Sequence, residues 1–311
     1  MSRPYVFVSG LAAGLLLALA VREFVWKRSQ PAQALPSSVR PGSWRGKRVL
    51  VTGASSGIGR ACAVHFASLG ASVAIHYNRS RGGAEETLRT CLSTGGGGLF
   101  LALQADLSSG SSAGLFDAAV AGLGGVDVLV LNAGVYEEQG AMVRDNLPAF
   151  REQFHRVLAT NLASAAELLF AAGCYFSQRR VQEADFFQRA PPRAQAAIVA
   201  VGSRGALRGE PNAWAYGAAK AGLHALVQSA AVSLGGLGVS CSAVAPGWVD
   251  TPMAQQSLQG PGGEGIRQQS PWGRVASATE VAAAVEGLAR FWETAFCTGA
   301  VLDCNGASYL H

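Results

Sequence analysis

Eight residues, Thr52-Gly53-Ala54-Ser55-Ser56-Gly57-Ile58-Gly59, join a β-branched run at 48–53 to a helical pattern at 57–69. A strand that turns directly into a helix aims the helix's first N–H groups, and the positive end of its dipole, at whatever sits in the turn. Glycine lets the backbone bend there and lets an anion approach closely. The spacing G-x-x-x-G-x-G is neither the G-x-x-x-x-G-K-S/T phosphate loop nor the common G-x-G-x-x-G. In a βαβ chain such a turn cradles the pyrophosphate of a dinucleotide. Taken alone it can equally be a tight connection.

The rest of the chain keeps the rhythm set by that turn. Strand patterns fall at 48–53, 72–77, 99–105, 126–132, 196–202, 239–245 and 300–304. Helical patterns fall at 57–69, 83–93, 112–123, 148–176, 213–235 and 279–292. Strands that alternate with helices pair in parallel, and the crossover helices cover both faces of the sheet. The expected fold is α/β: a single doubly wound domain over residues 47–311, with seven parallel strands. Hydrophobic residues make up 49% of the 311 and charged ones only 14%, so the core of such a domain can be filled. Two stretches interrupt the rhythm. Residues 178–195 are polar and contain Pro191-Pro192, and residues 254–273 are rich in Gly and Gln. The second is expected to act as a lid.

Ahead of this domain, Tyr5 to Val21 is a run of 17 residues without a charge. As a helix it would span about 26 Å, slightly less than a bilayer core of about 30 Å. Residues 1–28 are therefore read as a hydrophobic helix serving as an anchor or a targeting segment, with membrane contact through residues 5–26 if it is retained. Only Arg3 precedes the run, whereas Lys27, Arg28 and Arg40 follow it, which places the domain on the cytosolic side. The alternative is cleavage at Ala18-Leu19-Ala20, with delivery to a plastid-type organelle matrix. Residues 29–46, rich in Pro and Ser, read as a linker.

Charge is divided unevenly between arm and body. Residues 1–48 carry eight cations and one acid, while residues 49–311 carry 17 basic and 19 acidic side chains. The basic pI belongs to the arm, and a nucleic-acid-binding body is not expected. The six cysteines form no C-x-x-C pair and have no histidine at ligand spacing, so no metal site is expected. Asn78-Arg79-Ser80 is a glycosylation sequon, and a glycan at a cofactor contact would obstruct it, which favours a compartment outside the secretory lumen.

No acid lies between Glu23 and Glu85. The end of the second strand thus lacks the carboxylate that binds ribose hydroxyls and repels a 2′-phosphate. Arg79 with Ser80 offers a phosphate clamp instead, and NADP(H) is expected over NAD(H). Lys220 is the only lysine after Lys47, and it follows Tyr216 by four residues. On a helix the two share a face, and an ammonium beside a phenol lowers the phenol's pKa, giving an acid/base for proton exchange with an oxygen. A genome that spells cations as arginine explains the scarcity of lysine but not the position of this one.

Together these pieces resemble the short-chain dehydrogenase/reductase family over about residues 45–311. The motifs are Thr-Gly-x-x-x-Gly-x-Gly at 52–59, Asn-Ala-Gly at 132–134, Asn161 in Ala-Thr-Asn-Leu, Ser203 closing the fifth strand, Tyr216-Gly-Ala-Ala-Lys220, and Pro246-Gly-Trp-Val-Asp-Thr251. The 202–211 segment and the 303–309 ending are most similar to the 3-oxoacyl-(acyl-carrier-protein) reductase branch. The resemblance implies a Rossmann-type domain and a catalytic set of four. Tyr216 would exchange the proton, Lys220 would hold the nicotinamide ribose, Ser203 would polarise the carbonyl, and Asn161 would hold a relay water. It also implies cofactor contacts from Thr52, Gly53, Ser55, Gly57, Ile58, Gly59, Arg79, Ser80, Asp106, Asn132, Gly134, Pro246, Gly247, Val249 and Thr251. Asp106 would meet the adenine ring, although it also reads as a helix cap.

The expected function is an NADPH-dependent oxidoreductase moving hydride between nicotinamide and a carbonyl or alcohol carbon, with a 3-oxoacyl thioester as one substrate. The hydrophobic arm suggests a membrane-tethered dehydrogenase of steroids, retinoids or other lipid alcohols as the alternative. A nucleotide-binding scaffold without catalysis is the reading from another class. The family resemblance implies a homo-dimer or homo-tetramer.

Overall fold

The computed structural model describes residues 7–8, 44–140, 142–182 and 194–310. Seven strands follow in chain order: β1 (Arg48–Val51), β2 (Ser72–Tyr77), β3 (Phe100–Gln104), β4 (Val128–Leu131), β5 (Ala196–Val201), β6 (Val239–Pro246) and β7 (Val301–Cys304). They lie in the order β3-β2-β1-β4-β5-β6-β7, and every pairing is parallel. A two-residue strand, Phe7–Val8, pairs in parallel with Ala102–Leu103 of β3 at one edge. The rest of the hydrophobic segment expected as a helix, and nearly all of the linker, lie outside the described residues.

The order reverses between β1 and β4, so the chain winds away from the centre in both directions. Helices cover both faces, and the pleat explains how: Val49 and Val51 belong to one buried cluster while Leu50 between them belongs to the other. The first cluster is filled from α1 (Gly57–Ser68), α2 (Arg81–Ser93) and α7 (Ala278–Ala289), through Phe66, Leu88 and Val285. The second is filled from α3 (Ser112–Leu123), α5 (Ser164–Gln182) and α6 (Trp214–Gly235), through Phe116, Leu168 and Leu223.

The helix expected over 148–176 is interrupted. α4 (Leu147–Leu158) runs into a single π-turn at Ala159–Ala163 before α5 begins. Such a bulge rotates one side chain out of register, often at a functional site, and here it carries Asn161. The combined stretch Arg144–Arg179 is long and apolar enough to cross a membrane, but Leu168, Ala172 and Phe176 are packed against the sheet. The domain also starts earlier than expected. Trp44 is buried, its ring meets Phe66 edge-on with centroids 4.7 Å apart, and its Nε1 donates to the buried Glu286.

Residues 254–273 form two short helices, Gln255–Gln259 and Gly263–Arg267, with Ala254 and Leu258 buried beneath them. Of the 178–195 insertion, residues 183–193 lie outside the described residues. The six cysteines are free thiols.

Candidate active site

In a parallel sheet the strand ends on one edge all deliver their loops to the same place, at the reversal of strand order. A cleft of about 220 Å³ opens there. It is lined by Gly53, Gly57 and Ile58 of the glycine turn, Asn132 and Gly134 after β4, and Ser203 after β5. Tyr216 and Lys220 of α6, Pro246 at the end of β6, and Gly247, Val249 and Thr251 beyond it complete the expected residues in the lining.

The glycine turn needs its glycines for two reasons. Gly53 and Gly57 have φ of +63° and +53°, a region where a side chain is strained. A Cβ on Gly53 would stand 2.9 Å from the Ala133 Cα, and one on Gly59 would stand 2.3 Å from the Gly53 carbonyl oxygen. α1 opens at Ser56 with no side-chain capping bond and no acid in its first turn, and this end lines the cleft. An anionic pyrophosphate fits such a cradle.

Thr52 and Gly59 sit beneath the cleft. The buried Thr52 hydroxyl donates to the Val130 carbonyl at 3.1 Å and accepts from the N–H groups of Asn132 (2.8 Å) and Ala133 (2.9 Å). The Asn132 amide donates to the Thr52 carbonyl at 2.8 Å. Thr52 therefore serves by locking two strand ends together. The Ser55 carbonyl is held by Arg60 at 2.7 Å, beside Gly83 of α2.

His76 went unnoticed in the sequence and is the hinge of the adenosine side. Its Nδ1 accepts from the Gly53 N–H at 3.0 Å, and its Nε2 lies 3.1 Å from the Ala105 carbonyl. Burial pushes its pKa down to about 4, so the ring is neutral and Nε2 is the donor. Arg79 and Ser80 are exposed just beyond β2. Asp106 accepts from the Ser108 N–H (3.0 Å) and hydroxyl (2.7 Å), capping a short 3₁₀ turn, Leu107–Ser109. These bonds, with the charge of Arg79 and a bond from Asn78 adding to them, hold its carboxyl below the usual range. The capping reading of Asp106 is thus correct in kind, though it caps a nearer turn than expected.

Asn161 is buried next to the cleft. Its Oδ1 accepts from the Val135 N–H and its Nδ2 donates to the Val135 carbonyl, each at 2.8 Å. Its amide thereby fixes the strand-end loop, while each of its two polar atoms keeps one further hydrogen-bonding position. Lys220 is also buried, and its Nζ donates to the Val201 carbonyl at 2.7 Å. Burial lowers its pKa to about 8.

Tyr216 departs from expectation. Its phenol is pushed up to about 12 by burial, opposed by a hydrogen bond with Ser203 and reinforced by the charge of Glu210. Lys220 stands 5.7 Å from the ring centroid and gives one of its three protons to the Val201 carbonyl, and burial rather than its charge governs the phenol. What the arrangement provides is a Tyr–Ser pair on one side of the cleft. Ser203 also accepts from the Gly205 N–H at 3.0 Å, which holds its hydroxyl oxygen in place.

Among the lining residues not expected from the sequence, Tyr136 and Glu210 stand next to the Tyr–Ser pair. Tyr136 sets its ring edge on Tyr216, with centroids 5.1 Å apart at 74°. Glu210 stands half-buried beside it, and it is the only acid between Asp185 and Asp250, a signal available in the sequence.

A family model described as enoyl-(acyl carrier protein) reductase matches residues 53–306. The chain is 34% identical to the 3-oxoacyl-(acyl-carrier-protein) reductase of Escherichia coli over 86% of its own length and 99% of that protein's. It is 34% identical to an L-rhamnose 1-dehydrogenase of a Sphingomonas species (86% and 97% covered), and 32% identical to a 3β-hydroxysteroid dehydrogenase of Eggerthella lenta (86% and 95% covered). A short-chain dehydrogenase of Burkholderia cenocepacia, solved with NADP, superposes with a TM-score of 0.72 at 29% identity, covering 86% of this chain and 99% of that one. The fold and site define a nicotinamide-dependent oxidoreductase acting on CH–OH and C=O groups. The chain belongs to the short-chain dehydrogenase/reductase family.

Proposed function

We propose that the protein interconverts an alcohol and a carbonyl compound with NADP(H), using Tyr216 as the acid/base. The observation that carries this reading is the hydrogen-bonded Ser203–Tyr216 pair beside buried Lys220, all three lining the cleft that begins at the glycine turn.

The nicotinamide, when bound, supplies or takes up the hydride. Glycine-turn N–H groups would bind the pyrophosphate of the dinucleotide, and Lys220 Nζ, fixed by Val201, would hold the nicotinamide ribose. Ser203 donates to the substrate oxygen and restrains it. Tyr216 Oη gives its proton to that oxygen in reduction and takes it back in oxidation. A phenol with a high pKa suits the reducing direction, since it stays protonated at neutral pH. Arg79, exposed and without a competing acid at the strand end, supports NADP(H) over NAD(H).

The relatives act on an acyl thioester, a sugar and a steroid at nearly equal identity, so likeness does not select the substrate. A 3-oxoacyl thioester is one arm of the test. Purified protein is assayed with NADPH and NADH against carbonyl classes. NADPH-dependent turnover that is lost in Tyr216→Phe, with NADPH binding retained by fluorescence, supports the reading. Turnover undiminished in Tyr216→Phe sinks it.

A further inference from the structure

Glu210 has no part in the proton exchange described above, yet it stands in the wall of the same cleft. Its position is tightly defined. A Cβ built on Gly205 would lie 2.4 Å from Glu210 Oε1, so the carboxylate rests directly on the backbone of Gly205, whose N–H holds the Ser203 hydroxyl. On its other side a Cβ on Gly217, next to Tyr216, would meet the Glu210 Cβ at 3.7 Å. Two glycines, one within two residues of Ser203 and the other next to Tyr216, thus make room for one acid.

The segment carrying it is held firmly. Gln139 donates from its backbone to the Asn212 carbonyl and from its amide to the Pro211 carbonyl, both at 2.9 Å, and accepts from the Trp214 N–H at 3.0 Å. Yet among the described residues no group donates a hydrogen bond to the Glu210 carboxylate or forms an ion pair with it. Arg204 and Arg208 act on it only at longer range, and both commit their guanidinium groups to Gln269, Arg204 to Ser308 as well. Burial raises its pKa, as expected for a carboxylate short of donors.

A half-buried carboxylate with no protein donor is left to accept from water or from a ligand in the cleft. An apolar acyl chain supplies none, and an anionic group is repelled. An ammonium ion would meet Arg204, Arg208 and Lys220 nearby. A neutral hydroxyl remains, and two carboxylate oxygens accept from two adjacent hydroxyls together. We infer that the cleft takes a polyhydroxylated small molecule, with Glu210 accepting hydrogen bonds from hydroxyls beside the carbon that reacts. This rests on the alcohol/carbonyl reading and names its substrate class. Glu210 is the residue that sets the preference.

The test measures kcat/KM with NADP+ for cyclohexane-1,2-diol against cyclohexanol, and for ribitol, with acetoacetyl thioester and NADPH as the apolar arm. Wild type is expected to prefer the diol at least tenfold, and Glu210→Leu to lose at least tenfold of that preference. Glu210→Gln, nearly the same shape, is expected to lose an intermediate part, and melting curves confirm that both variants fold. Turnover that depends on Tyr216 but shows no preference for the diol, or a preference unchanged in both variants, overturns this inference alone. No turnover with any alcohol or carbonyl overturns the reading beneath it as well.

Discussion

Lys220 donates from Nζ to the carbonyl of Val201 at 2.7 Å and stands 5.7 Å from the ring of Tyr216, so the end of β5, more than the tyrosine, fixes the cation in place. Two groups expected to share one electrostatic interaction are governed mainly by burial. It lowers the lysine to about 8 and raises the tyrosine to about 12.

A lysine whose pKa is lowered keeps its charge below about pH 8 and loses it above. If the ammonium holds the nicotinamide ribose, the KM for NADPH should rise about tenfold per pH unit above that value, because only the charged form binds. Lys220→Arg stays charged, but its planar fork does not reproduce the point donor to Val201. It is expected to lose at least about 100-fold in kcat/KM and to abolish the alkaline rise in KM. An alkaline rise of the same size in both proteins would assign it to another group.

Asn161 satisfies both backbone groups of Val135 from inside a π-turn. Asn161→Ala leaves a buried donor and acceptor without partners, at about 1–3 kcal/mol each. Urea unfolding should show a loss of about 2–4 kcal/mol, with kcat falling because the loop lining the cleft is released. A loss below about 0.5 kcal/mol would mean that water replaces the amide.

His76 joins the glycine turn to the end of β3 only as a neutral ring. Its folded pKa, about 4, lies below the ordinary value of 6.5. The unfolded chain therefore binds more protons between these values. Stability from this group is complete above pH 6.5 and is lost as pH falls toward 4. From pH 7 to pH 5 the wild type should lose about 2 kcal/mol more than His76→Gln, whose amide can accept from Gly53 and donate to Ala105 without titrating. Paired urea titrations measure the difference, in which the carboxylates common to both proteins cancel. Equal acid sensitivity would show that His76 protonates without consequence.

The central strands were legible because they are short apolar runs buried on both faces and bounded by Gly or polar turns, as Val49-Leu50-Val51 is. Ser203, Tyr216 and Lys220 were legible because their spacing places them on one strand end and one helix face. The π-turn was not, since a 3.6-residue apolar pattern runs through Ala159–Ala163 and only the backbone of Val135 reveals the extra residue. His76 was hidden because a polar residue in a strand pattern gives no sign of which loop it will bond. The upward shift of the Tyr216 pKa was not legible because it comes mainly from burial of the phenol, which the spacing of two residues does not carry.

Arg79 is the residue on which the proposed preference for NADP(H) rests. It lies exposed just beyond β2, within the electrostatic reach of Asp106, whose carboxyl is occupied by Ser108. With no acid between Glu23 and Glu85, the end of β2 itself carries no carboxylate to repel a 2′-phosphate. A charge-assisted bond to that phosphate contributes about 1.5–3 kcal/mol, which corresponds to about 10–150-fold. Arg79→Ala should raise the KM for NADPH by a factor in that range and change the KM for NADH by less than about threefold. Arg79→Asp should reverse the preference, since a carboxylate at this place accepts from ribose hydroxyls and repels the phosphate. Steady-state kinetics with both cofactors, at fixed ionic strength because the contact is exposed, make the comparison. An unchanged NADPH-to-NADH ratio in both variants would return Arg79 to the surface and move the choice of cofactor to the glycine turn.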